Sequence, residues 1–379
     1  MRAYVPRRPR GSPPNGFAAV EQTGSDGWAP SGGTQYPFVL ILHASGAGET
    51  TLAYGAKYQA LTDSGLGYSG DTLFKWAVQQ GLPAGTVTAR PSDNHYSSVT
   101  LGNVEGYWLG YTHQPPTERM HLISERRLDR LMRWIDTNVP QAHPTKRYLT
   151  GGSMGAWGSV TYGMRRAHKF AAMYPDRPRV RYSSVGNISL PDYEGSSGVY
   201  AVGSAPLLAD EDGGYSSATH LDLVAWAGNT ANTMPWMGWC IGKADGYSDF
   251  SDHVALVAAM RAAGRGFAFA WNSGNHSEGS IIAQITDSYP YGTFELGVGY
   301  PVFSEHSLDA DLSAATGGIN VGLSYRNVVE SASAWSCEVT HISSACTVKV
   351  KPKSSIYTGN PSPTLATIPS ANTWVTVSF

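Results

Sequence analysis

The chain has 379 residues, which allows about two or three domains and a sizeable core. A net charge of −2 and a charged fraction of only 15% exclude the basic footprint of nucleic-acid binding and a polybasic membrane patch. No apolar run approaches the roughly 18 residues of a membrane span, and no signal peptide is visible. The abundance of Gly, Tyr and Trp is nonetheless typical of secreted proteins that handle polymers, so we expect an extracellular location.

The chain before residue 290 alternates predicted strands with predicted helices. Residues 1–34 are predicted to form an N-terminal extension, and the apolar run 37–42 predicts a central strand that is buried on both faces. The further elements in chain order are a Gly-rich loop (43–48), a helix (70–80), a strand (85–90), a long aromatic loop (92–116), a helix (117–138), a strand (147–152), a helix (154–170), and then the strands 171–175 and 237–242, a helix (252–263) and a strand (267–271). This alternation implies right-handed βαβ units and a mostly parallel sheet.

The stretch 147–157 predicts a strand, a sharp turn and a helix. The turn has the pattern G-x-S-x-G, formed by Gly151, Ser153 and Gly155. Because the two glycines have no Cβ, the strand and the helix can approach closely, which leaves the serine Oγ exposed. The backbone N–H of Met154 then faces the same space at a helix N-terminus, where negative charge is favoured.

The pattern divides the chain into two domains. Residues 35–289 form the predicted α/β domain, in which the irregular segment 176–233 is expected to be a cap or lid insertion. From residue 290 onward short alternating runs are separated by turn residues, which predicts a small all-β sandwich over 290–379. We expect this second domain to pack against the first. Cys337 and Cys346 flank a predicted hairpin in it, and we expect a disulfide across that hairpin.

Open parallel sheets bind ligands at the carboxyl ends of their strands. Four candidate groups lie at such ends here: the loop 43–48, Ser153, Asp245 and His276. Asp245 and His276 bracket a single helix-strand unit, so they are expected to end neighbouring strands. The order Ser, Asp, His is also the chain order of the catalytic triad in α/β-hydrolases.

Other polar residues in these segments are weaker candidates. Asp249 and Asp252 lie close enough to supply the acid, but Asp245 directly follows its strand, whereas Asp252 has the position of a helix N-cap. His253 lies within the next helix and is expected to be structural. No cluster has the spacing of a zinc site, and the acidic pair Asp309 and Asp311 is more typical of a solvated loop than of a Ca²⁺ site, so we expect neither a metal nor a cofactor.

Residues 35–285 resemble an α/β-hydrolase, closest to secreted serine esterases of the feruloyl esterase and polyhydroxyalkanoate depolymerase kind. The segment His43-Ala44-Ser45-Gly46 is similar to their His-Gly-x-Gly loop, with Ala44 in place of the first glycine. The G-x-S-x-G turn and the arrangement of the later Asp and His match as well. The β domain is not diagnostic of that group.

The resemblance implies a role for each residue of the constellation. Ser153 is the nucleophile, His276 the base and Asp245 the acid that orients the base. The backbone N–H groups of Ser45 and Met154 form the oxyanion hole.

We therefore expect a serine hydrolase that cleaves carboxylic esters, with polyesters and acylated polysaccharides as candidate substrates. Trp108, Trp236, Tyr247 and Trp271 lie on loops or strand ends near the predicted cleft and are candidates for substrate contact. Two alternatives stay open. A serine peptidase of the prolyl oligopeptidase type shares the fold and the triad, and a non-catalytic polymer-binding protein could keep the hydrolase fold.

Overall fold

The structure is a computed structural model. It describes residues 17–22, 35–42, 86–91, 94–96, 103–105, 122–181, 187–191, 197–201, 220–278 and 280–379. The predicted oxyanion-hole residue Ser45, the candidate substrate contact Trp108 and the predicted helix 70–80 lie outside these residues.

The strands before residue 290 are β1 (Phe17–Gln22), β2 (Tyr36–Leu42), β3 (Val87–Pro91), β4 (Asn94–Tyr96), β5 (Asn103–Glu105), β6 (Ala142–Gly152), β7 (Ala172–Asp176), β8 (Asn187–Pro191), β9 (Ser197–Ala201), β10 (Trp236–Gly242) and β11 (Phe267–Asn272). Those after it are β12 (Tyr300–Ser304), β13 (Gly317–Ile319), β14 (Leu323–Glu330), β15 (Trp335–His341), β16 (Cys346–Lys353), β17 (Thr364–Ile368) and β18 (Val375–Ser378).

The helices in the described part of the chain are α1 (Ile123–Asn138), α2 (Met154–Arg165), α3 (Leu223–Gly228), α4 (Phe250–Ala262) and α5 (Ala283–Thr286). None of these helices is both long enough and apolar enough to cross a membrane. In α1 the apolar residues Leu128, Leu131 and Ile135 are buried at helical spacing, and Pro140 follows its end.

Eight strands form the central sheet in the order β1-β3-β2-β6-β7-β10-β11-β13. The six inner strands of this sheet, β3, β2, β6, β7, β10 and β11, run parallel, and β1 and β13 pair antiparallel at the two edges. The mostly parallel sheet predicted from the alternation of elements is therefore confirmed. The edge strand β13 comes from beyond residue 290, so the C-terminal part of the chain completes the central sheet.

Each face of the central sheet has its own core. Leu40, Leu149 and Ile241 belong to one face, which packs against α1 to α4. Their neighbours on the same strands point to the other face, which packs against residues 282–294 and the C-terminal strands. Burial on both faces explains why these strands are continuous apolar runs in the sequence.

The C-terminal strands form two antiparallel three-stranded sheets, β12-β16-β17 and β14-β15-β18. Val348 and Val350 of the first sheet and Val339 of the second are buried in one shared core, and this core continues into the face of the central sheet described above. The predicted β sandwich is therefore confirmed, and it packs directly on the α/β domain.

The predicted disulfide is wrong. Cys337 and Cys346 are both free and buried. Cys337 lies on β15 and Cys346 lies on β16, and these strands belong to different sheets of the sandwich. The segment between them is a crossing from one sheet to the other, so the two cysteines do not face each other across a hairpin.

The segment 176–233, predicted as an insertion, contributes to the main core at its end. Leu223 and Val224 of α3 are buried with residues of α4 against the central sheet. Asp222 caps α3 by accepting a hydrogen bond from the N–H of Ala225 at 2.9 Å. This helix therefore belongs to the layer that covers the sheet.

Candidate active site

The turn between β6 and α2 places Ser153 at the carboxyl end of the central sheet. Ser153 has φ 52° and ψ −118°, a strained conformation for a residue with a side chain. A Cβ at Gly151 would lie 2.5 Å from the carbonyl carbon of Gly155 and 2.7 Å from the carbonyl oxygen of Leu42. Strand and helix thus approach as closely as the G-x-S-x-G pattern predicts, and the serine stands out at the turn.

A hydrogen-bonded chain joins Ser153, His276 and Asp245. Ser153 Oγ lies 2.6 Å from His276 Nε2, and His276 Nδ1 lies 2.7 Å from Asp245 Oδ2. The Asp245 side chain is fully buried, and the imidazole is 16% exposed. A carboxylate on Nδ1 favours the tautomer with a proton there, which leaves Nε2 free to accept the proton of Ser153.

The loops that carry Asp245 and His276 are held together at their bases. A Cβ at Gly242 would lie only 2.1 Å from the carbonyl oxygen of Gly274, so the two loops approach where a larger residue would not fit. The N–H of Ala244 donates to that same oxygen at 3.0 Å. The N–H of Tyr247 donates to Asp245 Oδ1 at 2.8 Å, which fixes the carboxylate inside its own turn.

The buried residue His253 supports the turn that carries Asp245. Trp239 Nε1 donates to His253 Nδ1 at 3.1 Å, so His253 carries its proton on Nε2 and donates to Ser248 Oγ at 3.0 Å. Burial lowers the pKa of His253 to about 3, an effect that the nearby Asp245 only partly opposes. His253 is therefore a neutral structural residue, as expected.

Neither alternative acid contacts His276 in the way that Asp245 does. Asp249 occupies the N-cap position of α4, and Asp252 lies in its first turn, which corrects the prediction that Asp252 is the N-cap. The carboxylate of Asp252 is buried and lies 3.5 Å from Arg181 Nη1.

Of the four candidate substrate contacts, Tyr247 lies beside the constellation. It is 59% exposed, and its ring centroid is 4.7 Å from that of His276. Trp236 and Trp271 are only 2% and 1% exposed, so the prediction that they contact substrate is wrong. Trp236 begins β10, at the opposite end of the strand, and stacks on Phe294 at 4.4 Å.

Trp271 is buried for a different reason. It lies near the carboxyl end of β11, but its ring packs against Phe250 and Phe269 and its Nε1 donates to the carbonyl oxygen of Ala314 at 3.0 Å. The side chain therefore faces the core and a C-terminal loop.

Met154 begins α2 directly after the serine. The first N–H groups of a helix have no acceptor within the helix, so the Met154 N–H is available to an anion beside Ser153. Ser45, predicted as the second donor, lies outside the described residues.

The described residues contain no group of His, Cys, Asp and Glu side chains that could hold a metal ion. Both carboxylate oxygens of Asp309 already have donors: the N–H of Asn320 at 2.7 Å on Oδ1 and Arg261 at 3.1 Å on Oδ2. Asp311 accepts from the N–H of Ser313 at 2.8 Å.

The sequence interpretation overlooked one pair of residues beside the site. Asp176 is the last residue of β7 and Arg177 follows it directly, and both are buried, with exposed fractions of 5% and 4%. Arg177 Nη1 donates to the backbone carbonyl oxygen of His276. The rule that selected Asp245, a polar residue at the carboxyl end of a buried strand, applies equally to this pair.

No family model matches the sequence, and no curated protein matches it significantly. Solved structures of similar shape include a substrate-bound fluorophosphonate-binding serine hydrolase of Staphylococcus aureus, with 13% identity, a TM-score of 0.44, and coverage of 68% of this chain and 84% of that one. An S-formylglutathione hydrolase from Agrobacterium tumefaciens shares 15% identity over 64% of this chain and 78% of that one, with a TM-score of 0.41.

A dipeptidyl peptidase 4 from Porphyromonas gingivalis has 15% identity and a TM-score of 0.40, and the match covers 64% of this chain but 28% of the peptidase. These likenesses include both an enzyme named as a peptidase and hydrolases of other kinds.

Proposed function

We propose that this protein is a serine hydrolase that cleaves carboxylic esters through an acyl-enzyme intermediate. The observation that supports it is the hydrogen-bonded chain from Ser153 through His276 to Asp245, which begins at a serine held at positive φ on a strand-to-helix turn. A nucleophile within reach of a base that is itself oriented by a third group is the signature of covalent acyl transfer.

In the first half of the proposed reaction, Ser153 Oγ attacks the ester carbonyl carbon while its proton passes to His276 Nε2. The buried carboxylate of Asp245 stabilises the imidazolium that forms. The carbonyl oxygen becomes an oxyanion beside the N–H of Met154, and one such donor typically contributes about 3–4 kcal/mol to transition-state stabilisation.

The tetrahedral intermediate then collapses. The bond from carbon to the alkoxy oxygen breaks, and the leaving alcohol takes the proton from His276 Nε2, which leaves an acyl group on Ser153. In the second half, water gives a proton to His276 and attacks the acyl carbon. Release of the carboxylic acid returns the proton to Ser153 Oγ, so the enzyme is regenerated without any cofactor.

The proposed preference for esters over amides rests on the esterase-like sequence pattern. Tyr247 favours a substrate with a large acyl or alkoxy group. Its ring is exposed and lies beside the imidazole ring of His276, where an aromatic or sugar group of a substrate can stack on it. Aromatic polyesters and acylated polysaccharides present such groups repeatedly, and we propose polyesters and acylated polysaccharides as substrates.

The experiment measures hydrolysis of p-nitrophenyl esters, feruloyl esters, polyester film and peptide anilides by the parent protein and by Ser153→Ala. We expect ester hydrolysis in the parent and a kcat lower by at least about 10⁴-fold in Ser153→Ala, because the triad acts as a unit. Ester hydrolysis that persists in Ser153→Ala would refute the mechanism, and a preference for anilides would indicate a peptidase.

Ser159→Ala is the matched control. Ser159 lies on the same helix, is fully buried, and donates to the carbonyl oxygen of Gly155 at 2.8 Å. This variant loses a hydroxyl of the same kind from the same helix but keeps the nucleophile, so its kcat is expected to match that of the parent.

A further inference from the structure

The end of β7 is tied to the turn that carries the proposed nucleophile. Asp176 lies in register with Gly152 of β6 on one side and with Cys240 of β10 on the other. The N–H of Ser153 donates to the backbone carbonyl oxygen of Asp176 at 3.0 Å. The position of Ser153 therefore depends on Asp176.

Arg177 makes the connection to the proposed base. Its Nη1 donates to the backbone carbonyl oxygen of His276, and its own N–H donates to the carbonyl oxygen of Cys240 at 2.9 Å. Its Nε lies 3.6 Å from Oδ1 of Asp176, which also accepts from Cys240 Sγ at 3.1 Å. Because Arg177 contacts the backbone of His276, it constrains the loop after β11 and leaves both imidazole nitrogens to Ser153 and Asp245.

This placement of Arg177 carries several costs. The residue has φ 59°, a left-handed conformation that is unfavourable for a residue with a side chain. Its Nη2 is buried and has no hydrogen-bond partner among the residues that the structure describes. A buried guanidinium with incomplete pairing is not what stability alone favours, and such strain concentrates at functional sites.

We propose that Arg177, held by Asp176, is a positioning residue for the reaction: its hydrogen bond to the carbonyl oxygen of His276 keeps the imidazole within reach of Ser153. This inference rests on the proposed function, because it concerns the base of that reaction. Without the bond, the loop 273–278 can carry the imidazole away from the serine, and a displacement of about 1 Å at a reacting group costs about 100-fold in rate.

The test compares Arg177→Met with Arg265→Met. Arg265 is a matched control because it is also buried and donates to backbone carbonyl oxygens, those of Ala227 and Asn229, each at 2.6 Å. It precedes β11, however, at the end of that strand away from His276. We expect Arg265→Met to lower the melting temperature and to leave kcat of the folded protein unchanged.

For Arg177→Met we expect kcat on a p-nitrophenyl ester to fall by about 10- to 100-fold, with KM within about twofold of the parent. Arg177→Lys keeps a cation that can donate to the His276 carbonyl, and we expect it to recover part of the loss. If Arg177→Met does not fold, Arg177→Lys and Arg177→Gln are compared with the parent in the same assay, and a kcat equal to that of the parent in both variants would overturn the proposal.

A second measurement does not depend on turnover. The Nδ1 proton of His276, bonded to Asp245 at 2.7 Å, is expected to give a low-field proton NMR signal. This signal should shift or broaden in the Arg177 variants and stay unchanged in Arg265→Met. An unchanged signal in a folded Arg177 variant would overturn the positioning role. Turnover that does not depend on Ser153, together with a signal that responds to Arg177, would overturn the proposed function alone.

Discussion

The ammonium group of Lys243 donates to the carbonyl oxygen of Ala314 at 2.8 Å, which ties the turn of the proposed acid to the C-terminal part of the chain. The same nitrogen donates to the carbonyl oxygens of Leu312 and Ser313 at 2.9 and 3.0 Å. Lys243 precedes Asp245 by two residues, so the loop 312–314 supports the acid of the proposed triad from outside the α/β domain.

We expect Lys243→Met to lower both stability and activity. A hydrogen bond from a charged donor contributes about 1.5–3 kcal/mol. Because the three bonds share one ammonium group, which water solvates in the unfolded chain, we expect their joint loss to cost about 2–3 kcal/mol of unfolding free energy, less than three independent bonds would. Because the acid turn loses its support, kcat should fall about tenfold. Urea denaturation and ester hydrolysis measure the two effects.

Lys349→Met provides the comparison for Lys243→Met. Lys349 pairs with Glu305 at 2.7 Å on the surface of the sandwich, where an exposed ion pair contributes about 0–1 kcal/mol. Its stability and activity should stay close to those of the parent. Equal effects of the two substitutions would mean that Lys243 has no special connection to the site.

The close approach at Gly242 predicts a sharp contrast between two glycines of one turn. A Cβ at Gly242 would lie 2.1 Å from the carbonyl oxygen of Gly274, whereas a Cβ at Gly246 would have no neighbour within 4 Å. Gly242→Ala should push the loops of Asp245 and His276 apart and lower kcat by about 100-fold. Gly246→Ala should be active, and kinetics on both variants with a p-nitrophenyl ester test the contrast.

The buried His253 predicts how stability depends on pH. Its pKa is about 3 in the folded protein and about 6.5 in the unfolded chain. Between these values the unfolded chain binds a proton that the folded protein does not, so stability falls as pH falls below about 6.5, by about 1.4 kcal/mol per pH unit for this group, and the fall ends near pH 3.

His253→Gln removes this titration while keeping a group that can bond Trp239 and Ser248. Unfolding free energies of the parent and of the variant, measured by urea denaturation from pH 7 to pH 4, should therefore converge as the solution becomes acidic. Parallel curves across that range would show that His253 is not the source of the pH dependence.

The three cysteines are expected to behave as buried thiols. Burial raises the pKa of Cys337 to about 12, which suppresses the reactive thiolate. A reductant should leave the melting temperature unchanged. Iodoacetamide should modify the protein only after denaturation, and mass spectrometry should then find three adducts without prior reduction; a single adduct would indicate a disulfide.

The strand-end reasoning located the proposed triad because Ser153, Asp245 and His276 each lie within a few residues of the end of a buried strand, a local property of the sequence. The same reasoning selected Trp236 wrongly, because an apolar strand looks alike from both ends and Trp236 begins β10. Trp271 lies near the correct end, but which face of a strand is covered depends on distant residues, here Ala314.

The disulfide prediction was wrong for a related reason. Alternation over 335–351 indicates strands, but it does not say which strands pair, and β15 and β16 pair in different sheets. Arg177 was overlooked because its contact with His276 joins loops that are 99 residues apart in sequence. Such contacts depend on strand order, which local patterns do not determine.

The pairing of β13 with β11 has a consequence for how the chain folds during its synthesis. Until residues 317–319 have been synthesised, the apolar strand Phe267–Asn272 has no partner for one side of its backbone. An uncovered apolar edge is a template for pairing with other chains. The nascent protein should therefore be prone to aggregation, and dependent on chaperones, between the emergence of β11 and that of β13 from the ribosome.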